Sequence, residues 1–226
     1  MKKRSKRYRA LREKFESKIY TISEAIKTIK EKATAKFDES VEVHLSFGID
    51  KNKGEQTVKG VILFPHSIGR KVKIAAFVTP QKEKEVKVAG ANLVGGEELI
   101  KKIKETKKCD FDVAVAQPEM MRHLATVAKI LGPKGLMPSP KTETVTTDPA
   151  KTVKELIAGK ISFKTDPQNC LHQIIGKASF DEKKLQENFE TLINAVKKAK
   201  PAKIKGEFIK SITLSSTMGP GIKIKV

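Results

Sequence analysis

Apolar residues first recur at helical spacing, through Ile22, Ile26, Ile29 and Ala33, and then alternate with polar ones at Val41, Val43, Leu45 and Phe47. The first pattern predicts a helix with one core face. The second predicts a half-buried strand whose other face carries Glu42, His44 and Ser46. Thr21 followed by Glu24 marks the helix start as a capping box. Gly48 to Gln56 reads as a polar loop and Thr57 to Phe64 as a second strand. Beyond Pro65 the pattern changes. Val72–Val78, Ala91–Val94 and Phe111–Ala116 read as apolar strands that alternate with helices at Lys82–Ala89 and Glu97–Lys104. Pro118 opens a further helix in which Met121, Leu124, Ala125, Ala128 and Leu131 share a face. Another helix runs from Asp148 as N-cap, through Pro149, to a stop at Gly159.

From Lys160 the half-buried alternation of the first segment returns. Ile161–Lys164 and His172–Ile175 read as antiparallel strands around the turn Asp166–Asn169. Asp181 caps a helix with Leu185, Phe189, Leu192, Ile193 and Val196 on one face. Two alternating runs, Ser211–Ser215 and Ile222–Val226, flank a sharp Gly219-Pro220-Gly221 bend that carries Thr217 and Met218. Strand–helix alternation in the middle of the chain implies parallel pairing. The expected architecture is therefore α/β and α+β combined. A discontinuous split α+β domain, 1–65 and 160–226, carries an inserted three-layer, Rossmann-like α/β domain at 66–159, with chain crossings near Pro65 and Gly159 as the hinge.

Composition then narrows the partner. The 226 residues include 46 Lys and Arg against 26 Asp and Glu, a formal net charge of +20, with no Trp. Such a balance points to nucleic acid or an anionic membrane. No apolar run is long enough to span a bilayer, and no segment joins a basic face to a bulky apolar one, so nucleic acid is favoured. The basic stretch Lys2–Lys18, with Tyr8 and Phe15 interleaved, is either a solvated arm or a contact with that partner. It runs into amphipathic sequence, so a secretory signal is not expected. Cys109 and Cys170 lack CxxC spacing, which fits a reducing cytoplasm.

Catalytic chemistry finds little support. Gly95-Gly96-Glu97-Glu98 lacks the dinucleotide spacing and sets carboxylates where phosphates would sit, and no phosphate-loop motif occurs. His44, His66, His123 and His172 are scattered and read as lone surface or packing residues. No catalytic set, metal site or cofactor is expected, and no small-molecule substrate. Gly132-Pro133-Lys134-Gly135 is similar to a phosphate-clamping GXXG loop. Either it offers Lys134 and Lys141 to phosphate, or its Gly and Pro residues only shape a tight connection.

Six stretches, from one end of the chain to the other, resemble the L-one family of large-subunit ribosomal proteins. They are Ala35–Val43, Gly48-Ile49-Asp50, Phe111–Val115, Ile130–Lys141, Gly176–Phe180 and Ser215–Gly221. The resemblance implies a cytoplasmic, ribosome-associated binding protein of the stalk beside the tRNA exit site, monomeric off the ribosome. Its partners would be large-subunit rRNA, exit-site tRNA and the messenger RNA of its own operon, whose translation it would repress. Carried over residue by residue, the RNA-facing set is Lys36, Phe37, Ser40, Glu42, Ser211, Thr217, Met218 and Gly219. Lys36 would neutralise phosphate, Ser40 and Thr217 would bond ribose 2′-hydroxyls, and Glu42 would accept from a base amino group or a 2′-hydroxyl. Phe37, unless it packs in the core, and Met218 would offer apolar faces; Gly219 would admit close backbone approach. Ser40 replaces a frequent Thr of the family, and Thr106-Lys107-Lys108-Cys109 replaces a frequent Gly-Trp. The rival readings are a free-standing RNA regulator and a phosphate-ligand enzyme built on the α/β block.

Overall fold

The computed structural model describes residues 5–13, 18–48, 58–69, 72–201 and 207–225. The chain runs through α1 (Lys6–Glu13), α2 (Ile22–Lys32), β1 (Ser40–Phe47), β2 (Lys59–Leu63), β3 (Ile74–Phe77), α3 (Glu83–Val88), β4 (Leu93–Gly95), α4 (Glu97–Thr106) and β5 (Val113–Ala116). It continues through α5 (Met121–Leu124), α6 (Ala128–Leu131), α7 (Pro149–Ala158), β6 (Lys160–Lys164), β7 (Cys170–Lys177), α8 (Glu182–Lys198), β8 (Ile209–Ser216) and β9 (Ile222–Ile224). This mixed α and β chain gathers into two compact units. One takes the chain up to Gly69 together with Ser162–Val226; the other is Arg70–Ile161. Part of the basic arm, nearly all of the expected loop Gly48–Gln56, and Val226 lie outside the described residues. Among the described residues no helix is long and apolar enough to cross a membrane.

The first unit is built on an antiparallel sheet of order β7-β1-β8-β9. Alternation along β1 sends Val41, Val43, Leu45 and Phe47 into the core while Ser40, Glu42, His44 and Ser46 stay partly exposed. Helices α2 and α8 pack on each other and on the apolar face. They contribute Ala25, Ile26 and Ile29 from one and Leu185, Phe189, Leu192 and Val196 from the other. The Thr21–Glu24 capping box forms in both directions. Asp181 and Asp148 occupy N-cap positions, but neither side chain caps its helix. Asp181 pairs with Lys184 at 3.3 Å and Asp148 with Lys82 at 3.7 Å.

The expected hairpin around Asp166–Asn169 does not form. The reversal is there: the Asp166 carboxylate accepts from the Gln168 and Cys170 N–H groups, and Asn169 adopts φ 61°. Yet β6 pairs with β2 in a separate two-stranded sheet, while β7 joins β1. Thr165 decides this by bonding Val58 twice: its N–H donates to the Val58 carbonyl, and its hydroxyl accepts from the Val58 N–H. Phe163 then lies against Gly60, where a Cβ would meet its ring at 2.7 Å.

The second unit has a parallel sheet of order β4-β3-β5, buried on both faces. One face puts Ala75, Phe77, Ala114 and Ala116 against Ile100, Ile103, Leu124 and Leu131; the other puts Ile74, Ala76 and Val115 against Val86 and Val153. The helix expected after Pro118 is a run in which α5 and α6 alternate with tight 3-10 turns at Pro118–Met120 and Ala125–Val127. Its buried face is Met120, Leu124, Val127 and Leu131, so Ala125, expected inside, is exposed. The tighter turns rotate the stripe and bring Val127 inward. Gly159, at φ 117°, ends α7. Lys160 follows, held by Glu143 at 2.6 Å and Glu155 at 2.7 Å. Burial would lower the Lys160 pKa, but the two carboxylates raise it.

Asn188 sits fully buried on the apolar face of α8 and joins three segments. Its Nδ2 donates to the carbonyls of His66 (3.0 Å) and Ile175 (2.8 Å), and its Oδ1 accepts from the His66 N–H (3.2 Å). Asn188→Leu leaves three backbone groups without this partner, the Ile175 carbonyl among them buried, and is expected to cost about 2–4 kcal/mol. Urea denaturation checks this, with a lower midpoint at unchanged slope.

Candidate nucleic-acid interface

Antiparallel pairing of β1 with β8 sets the segment before β1 beside the bend after β8, since Val41 pairs with Ser216. The proposed surface is thus assembled from chain positions nearly 180 residues apart. Thr217 closes the end of the ladder: its N–H donates to the Ser40 carbonyl (3.0 Å), and its hydroxyl accepts from the Ser40 N–H (2.9 Å). Beyond that joint both large apolar side chains point outward. Phe37 is 55% exposed and Met218 49%, so neither packs in the core. Lys36 is exposed beside them.

Glu39 holds these pieces together, and sequence reasoning missed it. Its side chain is only 2% exposed. Oε1 accepts from the Ala35 N–H and Oε2 from the Met218 N–H, both at 3.0 Å. Burial alone would raise its pKa. Hydrogen bonds from Ser216, Met218 and Ala35 overcome that and hold the carboxyl below its ordinary range. Ser216 in turn explains Gly219, because a Cβ there would collide with Ser216 Oγ. Arg7 of α1 donates to the Met218 carbonyl (3.2 Å) and to Thr34 Oγ1 (3.3 Å), so part of the basic arm is a helix that touches the bend. On the other side Asp38 accepts from the Ser179 N–H and hydroxyl, and Lys177 Nζ donates to Ser40 Oγ at 2.9 Å.

The remaining candidates are distributed unevenly. Glu42 and Ser211 share the polar face with Ser40, but Ser211 pairs with Ser46. It lies six residues from Thr217, about 20 Å along the strand. Interleaved with them are Thr213, Ser215 and the histidine pair His44–His172, none of which sequence reasoning placed in the site. The two histidines are not isolated: register sets them directly opposite each other on β1 and β7. Alternation in β1 marks His44 as outward-facing, but only the pairing with β7 reveals its neighbour. Lys134 and Lys141 belong to the second unit. Lys134 donates to the Lys107 carbonyl at 3.4 Å, and Lys141 lies exposed in the tight turn that Ser139 caps. Gly135 takes φ 69° with open space around it, while Leu136 and Met137 pack on the core.

The electrostatics of Glu39 give a signed expectation. A carboxylate whose folded pKa is depressed adds stability above its unfolded pKa and loses it as pH falls through the folded value. Glu39→Gln is expected to destabilise the chain at neutral pH by about 1–3 kcal/mol. The gap from wild type should close in acid, below the ordinary carboxylate range, as read from denaturation midpoints across pH.

Residues 29–220 match the profile of the "Ribosomal protein L1p/L10e family". A curated relative from Thermosipho africanus, "Large ribosomal subunit protein uL1", is 48% identical over 225 residues, covering 99% of this chain and 97% of the relative. Proteins of the same name from Mesoplasma florum (48% over 224 residues, 99% and 97%) and Mycoplasma capricolum subsp. capricolum (46% over 226 residues, 100% of both) are similar along their whole length. With a match running from inside α2 to the Gly-Pro bend, and likeness to these relatives across nearly every residue, the chain belongs to the ribosomal protein L1p/L10e family.

Proposed function

We propose that this chain is a structural protein of the large ribosomal subunit that binds rRNA through the surface joining Lys36–Glu42 to Thr217–Gly219. The observation that carries the reading is the exposure of Phe37 and Met218 on a rigid, doubly anchored platform, in a chain of net charge +20. Exposed apolar side chains on a backbone fixed by hydrogen bonds suit a partner that is bound by shape. The excess of lysine and arginine supplies the salt-dependent attraction. The proposal extends to the mobile stalk by the tRNA exit site, release of deacylated tRNA, and repression of the chain's own messenger RNA through the same surface. The two compact units would then be a discontinuous RNA-binding domain, 1–65 and 160–226, and an inserted Rossmann-like domain, 66–159. The role is binding and positioning in the cytoplasm rather than catalysis.

The hydroxyls temper one part of the expected contact set. Thr217 and Ser40 already bond within the protein, so their first task is to join β1 to the bend. Selectivity is therefore assigned mainly to Phe37, Met218 and the backbone geometry of the turn. Met218→Ala is expected to weaken binding to a large-subunit rRNA fragment about tenfold, or about 1.4 kcal/mol, with an unchanged salt dependence. Lys36→Ala should instead lower the log–log salt slope by about 0.7–0.9. Filter binding or fluorescence anisotropy across a salt series separates the two. A neutral Met218→Ala rules out the surface, and failure to travel with large subunits on co-sedimentation favours a free-standing regulator.

A further inference from the structure

The pairing of His44 with His172 creates a feature that the RNA reading does not use. Nδ1 of one ring faces Nδ1 of the other at 2.8 Å, and the rings meet edge to face at 4.9 Å between centroids. The second nitrogen of His44 is also held, and a carboxylate lies near that of His172. His44 Nε2 lies 2.9 Å from Ser215 Oγ and 4.0 Å from Glu42, while His172 Nε2 lies 3.8 Å from Asp166. Orientation of the outer nitrogen by an oxygen group is the arrangement that fixes ring and tautomer in histidine metal sites. Both rings stand on adjacent strands, and the His172 side chain is 56% exposed, so water can reach the gap between them.

We propose that His44 and His172 form a two-histidine site for a divalent transition-metal ion, bound through the facing Nδ1 atoms in place of the hydrogen they share. Among the described residues no group of three or more His, Cys, Asp or Glu closes around a point, so water fills the remaining positions. The spacing selects the metal. With metal–nitrogen bonds of about 2.0–2.1 Å, nitrogens 2.8 Å apart subtend about 85–90° at the ion. A tetrahedral ion would need them about 3.3–3.4 Å apart. The bite therefore suits the cis positions of tetragonal Cu(II) or Ni(II) better than tetrahedral Zn(II).

The test is titration of the untagged chain with Ni(II), Cu(II) or Zn(II) at pH 7, followed by calorimetry and by paramagnetic broadening of imidazole resonances. Ni(II) is expected to broaden His44 and His172 first and to bind more tightly than Zn(II). His172→Ala should weaken Ni(II) binding at least tenfold, while His123→Ala and Cys170→Ser leave it unchanged. A folded His172→Ala chain that retains Ni(II) affinity overturns the site, as does the absence of broadening at either histidine. Tighter binding of Zn(II) than Ni(II) overturns the right-angled geometry. None of these readouts involves RNA, so they stand or fall independently of the function proposed above.

Discussion

A buried carboxylate has to satisfy its oxygens inside the protein, and Glu39 does so by reaching two segments that are otherwise unconnected. One oxygen fixes the backbone at Ala35 and the other the backbone at Met218, 179 residues further on. Because an ionised group in that position is costly unless both oxygens are bonded, the loop before β1 and the bend after β8 have to adopt their relative positions together. The ordering of Phe37 and Met218 follows from this. Their side chains reach solvent while the backbone beneath them is held by Glu39, Thr217, Asp38 and Arg7.

That constraint would be empty without the sheet. Pairing of β1 with β8 brings the two segments within reach, and α2 and α8 cover the apolar face, leaving the polar one partly exposed. Asn188 plays a comparable part on the covered side, where it binds the backbone after β2 and in β7 to α8. Each of these two buried polar side chains thus fixes where the chain returns. Apolar packing gives the sheet most of its stability, but it is non-directional and would tolerate several arrangements. The directional bonds of Glu39 and Asn188 select among them.

What could be read from the sequence depended on how local the determinant was. The capping box of α2, the alternation of β1 and the apolar strands β3 and β5 are written within a few residues of each other, and all were legible. The bend at Gly219-Pro220-Gly221 was legible for the same reason. Strand partners were not: Asp166–Asn169 announces a reversal, but bonds from Thr165 to Val58, far away in the chain, send β6 to β2. The same gap hid the His44–His172 pair. Glu39 was missed although it lies inside a recognised stretch, because a carboxylate between Asp38 and Ser40 looks like one more polar loop residue. Only a side chain's burial separates a clamp from a solvated charge, and burial is a property of the assembled fold.

The division of labour within the proposed surface follows from which groups are already occupied. The hydroxyl of Thr217, the backbone of Met218 and the hydroxyl of Ser40 all make bonds within the protein. An RNA approaching this face would meet preformed geometry and two apolar side chains, with few polar groups left to reorganise. Such a surface loses little conformational entropy on binding. On the proposed reading its selectivity would rest on the shape of the RNA, since Phe37 and Met218 could tell whether a sugar or base face arrives at the right place but not which base it is. Charge cannot supply that discrimination, because a net +20 attracts any polyanion. If the proposed surface is the one that binds, the buried carboxylate that gives up part of this positive charge would be what lets a strongly basic protein prefer one RNA fold over another.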